Sequence, residues 1–134
     1  MRAPRRKPTD AELGILNVLW SRGPSTVRQI AEEMGREAGY TTILKLLQIM
    51  TEKSLVVRDE GSRTHVYTAA YTQDQTQRQL VADLLERAFD GSASKLVLQA
   101  LAAGKTTAED LAEIKKLLRA AAAQGNDDKA GGSR

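Results

Sequence analysis

The stretch "YTTILKLLQIM", Tyr40 to Met50, carries two unlike faces. Ile43, Leu46, Leu47 and Met50 recur at i, i+3, i+4 and i+7, one side of a 3.6-residue period. Thr41, Thr42, Lys45 and Gln48 fall on the other side. They are short or polar, and Lys45 is their only charge. A solvated helix face ordinarily carries more Glu and Lys. The neighbours of this segment decide what its outer face meets.

Upstream, "TDAE" sets Thr9 three residues before Glu12, the spacing of a capping box. The helix it opens carries Leu13, Leu16, Leu19 and Trp20, and Gly23–Pro24 stops it. Ser25 or Thr26 caps a second helix, with Gln29 placed to complete a box from Thr26. Val27, Ile30, Ala31 and Met34 form its stripe, and Gly35 is its expected left-handed terminator.

Downstream the period changes to two. "LVVRDEGSRTHVYTA" predicts a β-hairpin, Leu55–Arg58 and Thr64–Thr68, around a turn at Gly61. Three helices and a hairpin in this order predict a winged helix-turn-helix with the third helix as reader. The fold class is mainly α with a small β-hairpin.

A second group of helices follows. Thr72 and Gln75 make a box for a helix bearing Leu80, Val81, Leu84, Leu85, Ala88 and Phe89, broken at Asp90–Ser92. "ASKLVLQALA" predicts a short helix ending at Gly104. Thr106 and Glu109 box a last helix with Leu111, Ile114, Leu117, Leu118 and Ala121. The domains are a basic disordered arm at 1–8, a winged-helix domain at 9–71, a helical dimerisation region at 72–124 and a flexible tail at 125–134. So few residues hardly bury these apolar faces within one chain. Association into a homodimer is favoured over folding back onto the first domain. The expected interface is Leu80, Leu84, Leu98, Leu111, Ile114, Leu117 and Leu118.

Composition narrows the function. The 134 residues contain no cysteine and one histidine, which removes disulfides and thiolate metal sites. No zinc ligand set, phosphate loop or acid/base pair stands out, so no catalytic residue, metal or cofactor is expected. No apolar run approaches the ~18 residues of a membrane span, and the expectation is a soluble cytoplasmic protein. The net charge of +3 lies entirely in residues 1–70, which hold 11 Lys and Arg against 8 Asp and Glu. That fits a first half that meets a polyanion, though a small excess also arises by chance.

The DNA major groove admits a helix whose leading residues are short. Threonine hydroxyls and methyls, glutamine and lysine all have partners there. Tyr40, Thr41 and Thr42 stand at the helix N-terminus, the end that leads into the groove, where free amides also suit phosphate. Leu44, off the inner stripe, suits a thymine methyl. For an isolated helix, a plain polar face is the commoner explanation. The helix-turn before it and the hairpin after it reverse that.

At the hairpin tip, Arg63 suits a minor groove or a phosphate. Ser62 is equally a solvated turn residue. Arg58 and His65 lie on the strands, and His65 is more commonly a surface or packing residue than a catalyst. Arg2, Arg5, Arg6 and Lys7 form an arm that suits phosphates, although basic tails are common without that role.

These stretches together resemble the BlaI/MecI/CopY family of bacterial repressors, which includes the penicillinase repressors. The resemblance rests on "TDAELGILNVLWSRGPSTVRQIAEEM", "YTTILKLLQIMTEKSLV", "HVYTAAY" and "FDGSASKLVLQAL", and spans roughly residues 9 to 120. It implies a winged-helix homodimer on a palindromic double-stranded operator, with C-terminal helices as the interface. The family's reader positions fall on Thr41, Thr42, Leu44, Lys45, Gln48 and Ile49. The resemblance also implies a membrane-bound sensor with a metalloprotease domain. Cleavage in the repressor's C-terminal region weakens the dimer and frees the operator.

Three departures qualify it. Penicillinase repressors are cut between Asn and Phe, where this chain has Gln99–Ala100, the candidate cleavage site. The copper-sensing branch uses C-terminal cysteines, which are absent. Leu44 and Ile49 stand where another branch has Arg, so its operator does not carry over. Two other classes stay open: a winged-helix protein-interaction module, which needs an exposed apolar or acidic reader, and a ligand-sensing regulator, which needs an apolar pocket.

Overall fold

The computed structural model describes residues 7–35, 39–61 and 63–131, with side chains as far as residue 125. Nine elements follow in order: α1 (Asp10–Arg22), β1 (Ser25–Thr26), α2 (Val27–Met34), α3 (Tyr40–Glu52), β2 (Val56–Asp59), β3 (Val66–Ala69), α4 (Gln73–Ala88), α5 (Ala93–Ala103) and α6 (Ala108–Gly131). The chain divides into two units, Met1–Ala88 and Phe89–Arg134.

The first unit is three helices closed by a sheet, followed by α4. Both N-terminal capping boxes form. Thr9 Oγ1 accepts from the Glu12 amide at 3.2 Å while Glu12 Oε1 accepts from the Thr9 amide at 2.9 Å. Thr26 and Gln29 repeat the arrangement at 3.2 and 2.9 Å. Each box satisfies amides that the first helical turn leaves without a partner. Gly23 ends α1 at φ 96 and sends its N–H to the Leu19 carbonyl at 2.9 Å. Gly35 ends α2 at φ 85, ψ −173; this is a positive φ as expected, but outside the left-handed helical well.

The core gathers Ile15, Leu16 and Leu19 of α1, Val27 and Ile30 of α2, and Ile43, Leu47 and Met50 of α3. Leu55, Val56 and Tyr67 close it from the sheet side. The buried face of α1 is Glu12, Ile15, Leu16 and Leu19. Leu13 and Trp20, expected in the stripe, are half-buried at its flanks. The stripe is displaced because a carboxylate occupies one of its positions. Trp20 finds a different anchor: its indole N–H donates to the Tyr71 carbonyl at 3.0 Å.

The hairpin is present with both strands shifted by a residue or more, and it gains a third strand. The order is β1-β3-β2, all antiparallel. Ser25 pairs with Tyr67 and Thr26 with Val66, while Val56 through Asp59 pair with Ala69 back to Val66. Two residues carry no readable alternation, and Thr26 also caps α2, so β1 is invisible to a period. Between α3 and β2, Ser54 takes φ 65, a left-handed conformation uncommon for a residue with a Cβ.

The helix α4 belongs to the first unit, although Thr72 was the expected start of the dimerisation region. Its Thr72–Gln75 box forms, and Thr76 is buried. Leu80 is half-buried, while Val81 and Leu84 are exposed.

The second unit holds α5 and α6. Asp90 (φ 57) and Gly91 (φ 76) make the turn before α5, and Ser92 Oγ accepts from the Lys95 amide at 3.2 Å. The box of α6 lies one residue later than the expected Thr106–Glu109: Thr107 and Asp110 form it, at 3.0 and 3.2 Å. Asp offers the same carboxylate at the third position, so either register reads as a box. The helix continues to Gly131, past the expected end at Gln124. Gly125 is not a positive-φ residue and no proline follows it, so nothing there stops the helix. From 89 to 125 no residue is buried, and only Phe89, Ser92, Leu96, Thr106 and Ile114 are half-buried. No described helix is long and apolar enough to cross a membrane.

Candidate nucleic-acid interface

The helix α3 is built as its sequence predicts. Ile43, Leu47 and Met50 are fully buried, and Leu46 is half-buried against the core. Those contacts hold the opposite face outward. Tyr40, Thr41, Thr42, Lys45 and Gln48 are all exposed. The side chains of Thr41, Thr42, Lys45 and Gln48 make no hydrogen bond or ion pair with a described residue. The N-cap of α3 is Gly39, with no side-chain cap bond, whereas Thr9, Thr26, Thr72, Ser92 and Thr107 cap the other helices. The leading amides of α3 thus keep their capacity to donate to an anion.

Leu44 differs from its expected place. It is half-buried and packs against the core, not fully outward. It lines a cleft of about 290 Å³ with Tyr40 on the helix and Arg63, Thr64 and His65 on the hairpin. Leu44 therefore sits at the edge of the outer face, toward the wing. Tyr40, Leu44 and Arg63 are brought together by the fold; Lys45 and Gln48 lie on the open face beyond the cleft.

The hairpin cations divide. Arg58 is engaged: its Nε and Nη2 lie 2.8 and 2.6 Å from Glu60 Oε2. The Glu60 carboxylate, and then the Tyr67 hydroxyl, hold the Arg58 guanidinium above its ordinary pKa. Arg63 is exposed and has no described partner. Ser62 lies outside the described residues, as do Arg2, Arg5 and Arg6 of the arm. Lys7 pairs with Asp83 of α4 at 2.7 Å. The contact with Lys7, and secondarily with Arg87, lowers the pKa of Asp83.

Two further groups of this surface were not singled out from sequence. Arg28 of α2 is exposed and lines a second cleft with Tyr40. Its place one position past the second helix's start was the available signal. Lys53, at the C-terminus of α3, turns inward and reaches the buried Glu12 at 2.9 Å. No local pattern marks such a pairing across 41 residues.

In the second unit the four leucines of the expected interface are exposed. Leu98 is 63% exposed, Leu117 and Leu118 58%, and Leu111 43%. Ile114 is half-buried. Gln99 and Ala100 lie within α5, both exposed.

Comparison with known proteins shows the family. The family model described as "Penicillinase repressor" matches residues 8–120. A protein of Mycobacterium tuberculosis named "Transcriptional regulator BlaI" is 34% identical over 92 residues, covering 66% of this chain and 67% of that one. The "Penicillinase repressor" of Bacillus licheniformis is 21% identical over 112 residues, covering 82% of this chain and 88% of that one. Among solved structures, a variant of Lactococcus lactis ZitR is 20% identical, covers 92% of this chain and 80% of that chain, and superposes with a TM-score of 0.43.

Proposed function

Because the chain belongs to the penicillinase repressor family, we propose that it is a DNA-binding transcriptional repressor that acts as a homodimer on a palindromic operator. It is a regulator of transcription and not an enzyme. The observation that carries the reading is α3: a helix clamped by its apolar face, with Thr41, Thr42, Lys45 and Gln48 outward and without side-chain partners among the described residues. Short hydroxyls at the entering end allow close approach to base edges. Gln48 suits adenine, and Lys45 suits guanine or phosphate. Arg63 supplies the wing's contact with the backbone or the minor groove.

The exposed leucines of the second unit support the dimer. Two helices with no buried residue among those described as far as 125 gain stability by covering their leucines. Each half-exposed leucine that becomes buried contributes about 1 kcal/mol. Pairing places two readers on one duplex, and the second engagement becomes intramolecular. Derepression by cleavage in the C-terminal region acts at that point. Scission at Gln99–Ala100 would separate most of α5 from α6 while leaving α3 intact. A membrane-bound sensor metalloprotease is the partner that such a route requires.

The test is selection of bound duplexes from a random-sequence library. The expected product is an inverted repeat with half-sites one or more helical turns apart, about 34–36 Å per turn. Recovery of no enriched sequence would contradict sequence-specific repression.

A further inference from the structure

The cleft between α3 and the hairpin is lined by two side chains of different charge behaviour. Arg63 carries the permanent charge of a guanidinium, whereas histidine is the residue type that gains its charge as the pH falls through the neutral range. Both are exposed, and Thr64 between them lines the same cleft. The far wall is Tyr40 and Leu44, from the first half of the reader helix.

We propose that the cleft seats one phosphodiester of the bound duplex, with His65 as a second, pH-dependent cation beside Arg63. The inference rests on the DNA-binding reading above. A phosphate next to an imidazole stabilises the protonated form, so binding takes up a proton. Affinity therefore rises as the pH falls from about 8 to about 6.

The groups around His65 are few. Arg63, Tyr40 and Tyr67 line the cleft, and no described carboxylate does. Continuing the register beyond Asp59–Val66 sets Glu60 across from His65, but the Glu60 carboxylate is held by Arg58 at 2.6 Å. The Asp59 carboxylate accepts from the Gly61 amide at 2.9 Å. Both acids of the hairpin thus have other partners. The chain has one histidine and no cysteine, so His65 is its one side chain of a type that changes charge near neutral pH. The terminal amine also titrates there, and the variants below separate the two.

The experiment measures affinity for a duplex selected by the wild-type protein, across a salt series, at about pH 6 and about pH 8. Wild type should bind roughly threefold tighter per protomer at the lower pH, hence about tenfold for a dimer. Its slope of log affinity against log salt should be steeper there by about 0.9 per site. His65→Gln should be weak and nearly pH-independent, and His65→Arg tight at both values. The site is overturned if His65→Gln keeps the wild-type pH dependence, or if His65→Arg binds no tighter than His65→Gln. Failure of wild type to bind any selected duplex at either pH overturns the DNA-binding reading along with it.

Discussion

Lys53 Nζ lies 2.9 and 3.0 Å from the two carboxylate oxygens of Glu12, whose side chain is 2% exposed. Glu12 Oε1 also accepts from the Thr9 amide. One carboxylate therefore closes the N-terminus of α1 and fastens the C-terminus of α3 to it. The reader helix is held by apolar contacts along its inner face and by this ion pair at its far end. Lys53, the C-cap of the helix, is bound inward, while Lys45 is outward with no partner among the described residues.

Removal of one partner from such a pair leaves a buried charge. Lys53→Met should cost about 3 kcal/mol, near the lower end for buried pairs because Lys53 keeps some solvent contact. The double change Glu12→Leu with Lys53→Met should recover all but about 1 kcal/mol, the value of the lost helix cap. Urea titration measures both. A cost below about 0.5 kcal/mol for the single variant, the level of a surface pair, would contradict the clamp.

Ser54 offers a backbone test. At φ 65 a side chain costs roughly 1 kcal/mol that glycine avoids. Ser54→Gly should therefore raise stability by up to about 1 kcal/mol, and Ser54→Val should lower it. The midpoint of thermal or urea unfolding shows the sign. A destabilising glycine would mean that the serine makes a contact outweighing its strain.

On the outer face the expectation is reversed: function changes and stability does not. Lys45→Ala should weaken binding to a selected duplex by about 1–3 kcal/mol if it meets a base, or reduce the salt slope by about one if it meets a phosphate. Arg63→Ala should act through the salt slope. Unfolding midpoints of both should match wild type, since exposed substitutions rarely exceed about 0.5 kcal/mol. Unchanged affinity in both variants at matched salt would remove α3 and the wing from the interface.

Leu117 and Leu118 are each 58% exposed within one chain. A lysine at either position is therefore well tolerated by the isolated fold. In a dimer it places a charge in an apolar seam. Leu117→Lys should sediment as a monomer and bind a palindromic duplex much more weakly, with its helix content retained. A dimer of wild-type strength would show that the seam lies elsewhere.

Most of the first unit was legible from residue spacing. The boxes at Thr9, Thr26 and Thr72 are short-range patterns with a fixed offset, and each forms as written. The phase of α3 was clear because its two faces differ in kind. The phase of α1 was not, since Glu12 lies in the apolar stripe and its partner is 41 residues away. β1 escaped for a related reason: its pairing with β3 is non-local and only two residues long. Leu44 was placed outward by helical period alone, and the neighbouring hairpin draws it into a cleft. The α6 box slipped by one residue because Thr106–Glu109 and Thr107–Asp110 satisfy the same pattern. Periods and caps are local facts; ion pairs, bridges and clefts depend on what the fold brings together.

The most direct measurement is a repeat of the duplex selection with Gln48→Ala in place of wild type. Loss of base preference at one position in each half of an inverted repeat, with the other positions kept, is the expected result. It would show at once that α3 reads bases and that two copies do so symmetrically. An unaltered motif, bound with unaltered discrimination at every position, would contradict the placement of this helix face against the bases.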